Sequence, residues 1–92
     1  MRQIKQLPFN SKDWRGDVRI SRLNLQQKGF YLELMNECIL TESDRLKLDL
    51  NYYARLFRTR NTSISNVLGV LQKTGLLKIE NDIIILHIME EY

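Results

Sequence analysis

The chain has one cysteine, one histidine and one proline in 92 residues. A single thiol, Cys38, cannot close an internal disulfide, and His87 alone cannot build a histidine metal cluster. Pro8 precedes every strong periodic segment, so no proline interrupts a helix or strand after it. The four glycines, Gly16, Gly29, Gly69 and Gly75, are scattered, and no glycine loop cradles a phosphate. There is no Gly-x-Ser-x-Gly elbow to activate a serine. Glu33 and Glu37 stand four apart on one helix, which fits a solvated face better than an acid/base pair. No apolar run approaches the ~20 residues that cross a bilayer. The first six residues begin basic but lack the apolar stretch of a secretory signal. The expectation is a small cytoplasmic domain that is not an enzyme and carries no metal, cofactor or membrane segment.

What is present is ordinary globular material. Hydrophobic residues make up 43% and charged residues 27%, which is too apolar for disorder. Ninety-two residues suffice for one domain with one modest core. The net charge of +3 is unevenly spread. Residues 1–60 hold twelve Lys/Arg against seven Asp/Glu, and residues 61–92 hold two against four. The basic part can face phosphates; the acidic part should not.

Residues 1–20 suggest an arm of short turns packed on a domain at 21–92, with Phe9 and Trp14 as anchors. Asn10, Ser11 or Asp13 can cap a helical turn around a buried Trp14. Asn24-Leu25-Gln26-Gln27 has the residue types of a capping box, and the helix it opens runs to about Thr41. Tyr31, Leu34, Met35, Cys38 and Ile39 give that helix its core stripe, with Leu32 on the flank. Gly29 inside it suggests a close neighbouring backbone. Residues 41–48 form a polar connection ending in a short extended piece. Asp49 caps a second helix, Leu50 to about Arg58, with Leu50, Tyr53, Ala54 and Phe57 buried. After the turn Arg58-Thr59-Arg60-Asn61, Asn61 or Thr62 caps a third helix to about Lys73, with Ile64, Val67, Leu68 and Leu71 inward. Gly75 suits the left-handed position after it.

The period then changes. Two β-branched runs flank Asn81-Asp82, which tolerate the positive φ of a two-residue hairpin turn. The register pairs Glu80 with Ile83, Ile79 with Ile84, Lys78 with Ile85 and Leu77 with Leu86. One face, Leu77, Ile79, Ile84, Leu86 and Ile88, is wholly apolar and faces the core. Cys38 belongs to the core as an inert thiol, and His87 is structural.

The order helix, helix, short turn, helix, hairpin predicts a mainly α fold with a small β-hairpin (α+β): a winged helix with an N-terminal arm. The segments Phe9-Asn10-Ser11-Lys12-Asp13-Trp14 and Leu23-Asn24-Leu25-Gln26-Gln27-Lys28-Gly29-Phe30-Tyr31-Leu32-Glu33-Leu34 also carry a family likeness. They resemble the N-terminal domain of phage and prophage replication proteins. An aromatic residue followed by Asp-Trp, and then Gly and Tyr two apart, is similar to the winged-helix N-terminal domains of DnaD-like primosome proteins and phage replisome organisers. The resemblance covers roughly Phe9 to Tyr92 and implies a replication-initiation context with self-assembly. Members of that family usually carry a further C-terminal region, so it also implies an isolated domain or a short stand-alone relative.

Three functions follow as expectations. In the first, the domain binds DNA. Arg55, Arg58 and Arg60 contact phosphates around the turn, and the third helix presents Thr62, Ser65, Asn66, Gly69 and Lys73 to a groove. Arg2, Lys5 and Lys12 of the arm can join them. The wing tip, Glu80-Asn81-Asp82, is too acidic to help. In the second, the domain docks on replication proteins or on itself through Ile4, Leu7, Phe9, Ile83 and Ile85. The third is a transcriptional regulator reading a palindromic site. Each candidate surface is also compatible with an ordinary solvated face.

Overall fold

The computed structural model describes residues 11–87, with side chains from Trp14 onward. Five helices and three strands follow in the order α1 (Ser11–Gly16), α2 (Val18–Ser21), α3 (Leu25–Thr41), β1 (Arg45–Lys47), α4 (Leu50–Leu56), α5 (Asn61–Lys73), β2 (Leu77–Glu80) and β3 (Ile83–Leu86). It is a mainly helical α+β fold with one small antiparallel sheet of strand order β1-β3-β2.

Helix starts follow side-chain chemistry. Asn24 accepts from the Gln27 amide while the Gln27 side chain accepts from the Asn24 amide, the expected capping box. Asp49 accepts from the Tyr52 amide and opens α4. Asp17 accepts from the amides of Arg19 and Ile20 and opens α2. The start of α5 departs from expectation. Arg60, not Asn61 or Thr62, occupies the N-cap position, and no side chain caps the helix. Asn61 is already helical, and its side-chain Nδ2 donates to Asn51 Oδ1 at 2.6 Å instead.

Helices α3, α4 and α5 end alike. The residue after each last turn has positive φ: Glu42 at 53°, Arg58 at 54° and Gly75 at 81°. In each case the next amide reaches back five residues: Ser43 to Cys38, Thr59 to Ala54 and Leu76 to Leu71. These are paired-bond Schellman endings, and only the third uses the glycine that the conformation favours. The Arg58 reversal ends α4 at Leu56, two residues earlier than the periodicity predicts.

The hairpin turn has φ of 52° at Asn81 and 61° at Asp82, and the predicted β2–β3 register holds at all four pairs. The hairpin does not stand alone, however. The extended piece after α3 pairs with β3 as a third strand, with Arg45 opposite Ile85, Leu46 opposite Ile84 and Lys47 opposite Ile83. Leu46 is buried between exposed Arg45 and Lys47. This edge strand therefore carries cations, which discourage further strand pairing.

The core gathers Tyr31, Leu34, Met35 and Cys38 of α3, Tyr53 and Ala54 of α4, the predicted α5 stripe, and Leu77, Ile84 and Leu86 of the sheet. Ile79 packs against it half-buried, and Ile88 lies outside the described residues. Residues 14–20 belong to the same body: Ile20 is buried in the core, and Trp14, half-buried rather than buried, stacks on Tyr31 at 6.5 Å. The Gly75-Leu76 junction is a polar hub. The Leu76 carbonyl accepts from the Tyr31 hydroxyl and the His87 amide, each at 2.9 Å. The Gly75 carbonyl faces His87 Nδ1 at 2.8 Å and accepts from Arg19 at 3.4 Å. A carbonyl only accepts, so His87 Nδ1 carries the proton, and its role is structural.

Gly29 differs from expectation. Among the described residues, nothing outside its own stretch of helix lies within 4 Å of where its Cβ would sit, so none of their backbones requires glycine there.

Candidate nucleic-acid interface

The chain reverses direction between α4 and α5 through Phe57-Arg58-Thr59-Arg60. Arg55 lies in the last turn of α4, Arg58 is the left-handed residue of its Schellman ending, and Arg60 is the N-cap of α5. All three are exposed, and none has an ion-pair partner among the described residues. Their charges are therefore not neutralised by the fold.

The α4–α5 pair is held rigidly behind them. Phe57 meets Phe30 edge-to-face at 5.2 Å and stacks on Tyr53 at 5.9 Å. The Asn61–Asn51 bond ties the first turn of α5 to α4. With no side-chain cap, the first amides of α5 are left to solvent or to an anion, and the helix dipole favours negative charge at that end.

Along α5 the inward stripe is buried, and Thr62, Ser65, Asn66 and Lys73 are exposed, with Gly69 half-buried. Arg55, Arg58, Arg60, Thr62, Ser65, Asn66 and Lys73 thus all lie on the exposed surface of α4, α5 and the turn between them. The sheet contributes little positive charge at the hairpin tip: Glu80, Asn81 and Asp82 are exposed, and Lys78 is paired with Glu80 at 3.8 Å. Arg45 and Lys47 of β1 are exposed cations that sequence reasoning did not place on the sheet. Their signal was the alternation Arg-Leu-Lys beside a hairpin with an open edge.

The expected docking surface on the hairpin is corrected by burial. Ile85 is only 4% exposed. In register it lies between Arg45 of β1 and Lys78 of β2. Ile83, between Lys47 and Glu80, is half-buried. Ile4, Leu7 and Phe9, with Arg2 and Lys5, lie outside the described residues, as does the side chain of Lys12.

Burial pushes the Cys38 thiol up to about 12, with Asp44 and Glu37 adding to the effect. The Tyr53 hydroxyl is raised by burial, and Tyr52, which donates to Glu37 Oε2 at 2.9 Å, is raised by that bond. No cluster of His, Cys, Asp and Glu suited to a metal occurs among the described residues, and none of their helices is long and apolar enough to cross a membrane.

Comparison with protein-family models, with curated proteins and with solved structures finds no match for the chain.

Proposed function

We propose that this domain is a winged helix that binds DNA through α5 and the arginine turn before it, in the service of replication initiation. The observation that carries the DNA reading is the set Arg55, Arg58 and Arg60: three exposed cations, unpaired among the described residues, around the turn that aims α5. The polar, uncharged outer face of α5 supports it. Short side chains such as Thr62, Ser65 and Asn66 let a helix sit deep in a major groove, where Asn66 can reach a base edge. The arginines and the uncapped α5 amides then act on phosphates, which fix register without reading sequence. The β2–β3 hairpin that follows α5, joined in one sheet by β1 from ahead of α4, supports the winged-helix assignment, and its acidic tip keeps the wing off the phosphates. The replication context rests on the resemblance of the Phe9–Trp14 and Leu23–Leu34 segments alone.

Fluorescence anisotropy of a labelled duplex tests the reading. The unmodified chain should bind with affinity that falls steeply with salt, at a log–log slope of about −3 or steeper. The double substitution Arg58→Glu with Arg60→Glu should abolish binding while leaving the circular-dichroism melt intact. No binding at low salt, or equal binding by the double variant, would sink it.

A further inference from the structure

The N-terminal halves of α3 and α5 enclose a groove of about 380 Å³. Leu25 and Leu32 form one wall, Ile64 and Val67 the other, and the edge-to-face pair Phe30 and Phe57 lines it between them. Gln26, Thr59 and Ser63 also line it, and their side chains have no hydrogen-bond partner among the described residues. Gly29 lines it too, and among the described residues nothing outside its own stretch of helix lies within 4 Å of its absent Cβ. The missing side chain leaves the groove open at that point. A polar depression of about 190 Å³ shares Gln26, Ser63 and Val67 with the groove and reaches Asn66, so the groove is continuous with the outer face of α5.

We infer, resting on the DNA reading of α5, that this groove receives an unpaired nucleobase, so that the domain engages DNA where a duplex gives way to single strands. Charge complementarity selects a base over an apolar side chain of a protein. Thr59 lines the groove and stands between Arg58 and Arg60, both exposed and without an ion-pair partner among the described residues. A base arrives with a phosphate for those cations; a leucine does not. The polar wall points the same way. An aliphatic occupant covers Gln26, Thr59 and Ser63 without satisfying them, whereas the edge of an unpaired base offers them donors and acceptors. A flat aromatic base also stacks on the half-buried Phe57 ring, and stacking tolerates any base. Glu33 is the charged residue of the lining. It repels phosphate and accepts from an exocyclic amino group, which keeps the strand's backbone on the arginine side. Apolar walls with a few polar groups, in a volume within the ~300–1,000 Å³ of small-ligand clefts, suit one base. A base that is already unpaired enters without the cost of breaking a pair.

Fluorescence anisotropy on the full chain tests it, with three labelled probes at one salt concentration. They are a blunt duplex, the same duplex with a forked end of unpaired strands, and that fork with abasic sugars in place of its unpaired nucleotides. The fork should bind at least about fivefold more tightly than the blunt duplex, the scale of one base stacked on an aromatic ring. The abasic fork keeps every phosphate and should lose that gain. Gly29→Leu puts a side chain into the groove at an exposed helical position. It should remove the same gain, leave blunt-duplex binding unchanged and leave the thermal melt no lower. Equal binding of fork and blunt duplex, an abasic fork as tight as the natural one, or a Gly29→Leu variant that keeps the gain would each overturn the inference and leave the duplex reading standing. The last of these would return the groove to another occupant, such as an apolar helix of a partner protein. No binding of any probe would overturn both readings.

Discussion

Arg58 combines a backbone cost with an exposed charge. A side chain in the left-handed region is crowded by about 1 kcal/mol relative to glycine, and the α4 ending holds Arg58 at φ 54°. Arg58→Gly should therefore raise stability by about 1 kcal/mol, seen as a later urea midpoint at unchanged slope. Under the DNA reading the same variant loses one phosphate contact, and its salt slope becomes shallower by about one. Gly29→Ala should also stabilise by about 1 kcal/mol, because α3 loses a flexible residue and the new methyl meets open space. Residue-scale legibility divides along chemical lines. Gly75, Asn81 and Asp82 announced their positive φ through residue type. Glu42 and Arg58 did not, because what bends them is a pair of backbone hydrogen bonds that any side chain permits. Gly29 misled in the opposite sense: its presence implied a neighbour that this chain does not supply.

The elements depend on their ends and on the junctions between them. Helix α2 is four residues long and is held by Asp17, which caps it and pairs with Arg19 at 3.0 Å. The hydrogen bond from the Arg19 side chain, aided by the Arg19 and Ile20 amides, holds the Asp17 carboxyl below its ordinary value despite partial burial. A depressed carboxylate pKa stabilises the fold above the unfolded pKa, near 3.9, and that stability is lost as pH falls through the folded value. Asp17→Asn should thus cost about 1 kcal/mol at neutral pH and flatten the stability profile below about pH 4, as measured by denaturation across pH. At the Gly75–Leu76 hub that Arg19 also reaches, Tyr31→Phe removes the hydroxyl that donates to the Leu76 carbonyl and should cost about 1 kcal/mol, read in the same unfolding assay. Element existence was legible wherever periodicity was strong, as in α3, α5 and the hairpin. Strand β1 was legible only as an extended piece. Three residues hold too little pattern to reveal a partner, and its pairing depends on a long-range meeting with β3.

For the whole molecule, pairing of β1 changes the functional map. It brings exposed Arg45 and Lys47 to the sheet edge beside Ile85 and Ile83. The candidate DNA surface was largely legible because its residues are close in sequence: Arg55 to Lys73 is one continuous helix-turn-helix segment, so local periodicity suffices to separate its inner and outer faces. Cys38 gives a global readout. Fully buried and with its thiol pushed up to about 12, it should react with thiol reagents only through opening of the core. The labelling rate in the native state should then follow the global stability measured by urea, and ready labelling in water would contradict the packed core.

The proposed DNA-binding surface is tested most directly by NMR. At 11.0 kDa, the chain suits amide shift mapping during titration with a short duplex. The account predicts that the largest shifts run from Arg55 through Lys73, concentrated at Arg58–Asn66, while Asn81 and Asp82 at the hairpin tip stay unmoved. Shifts centred on the hairpin tip with α5 silent, or no shifts at low salt, would contradict it.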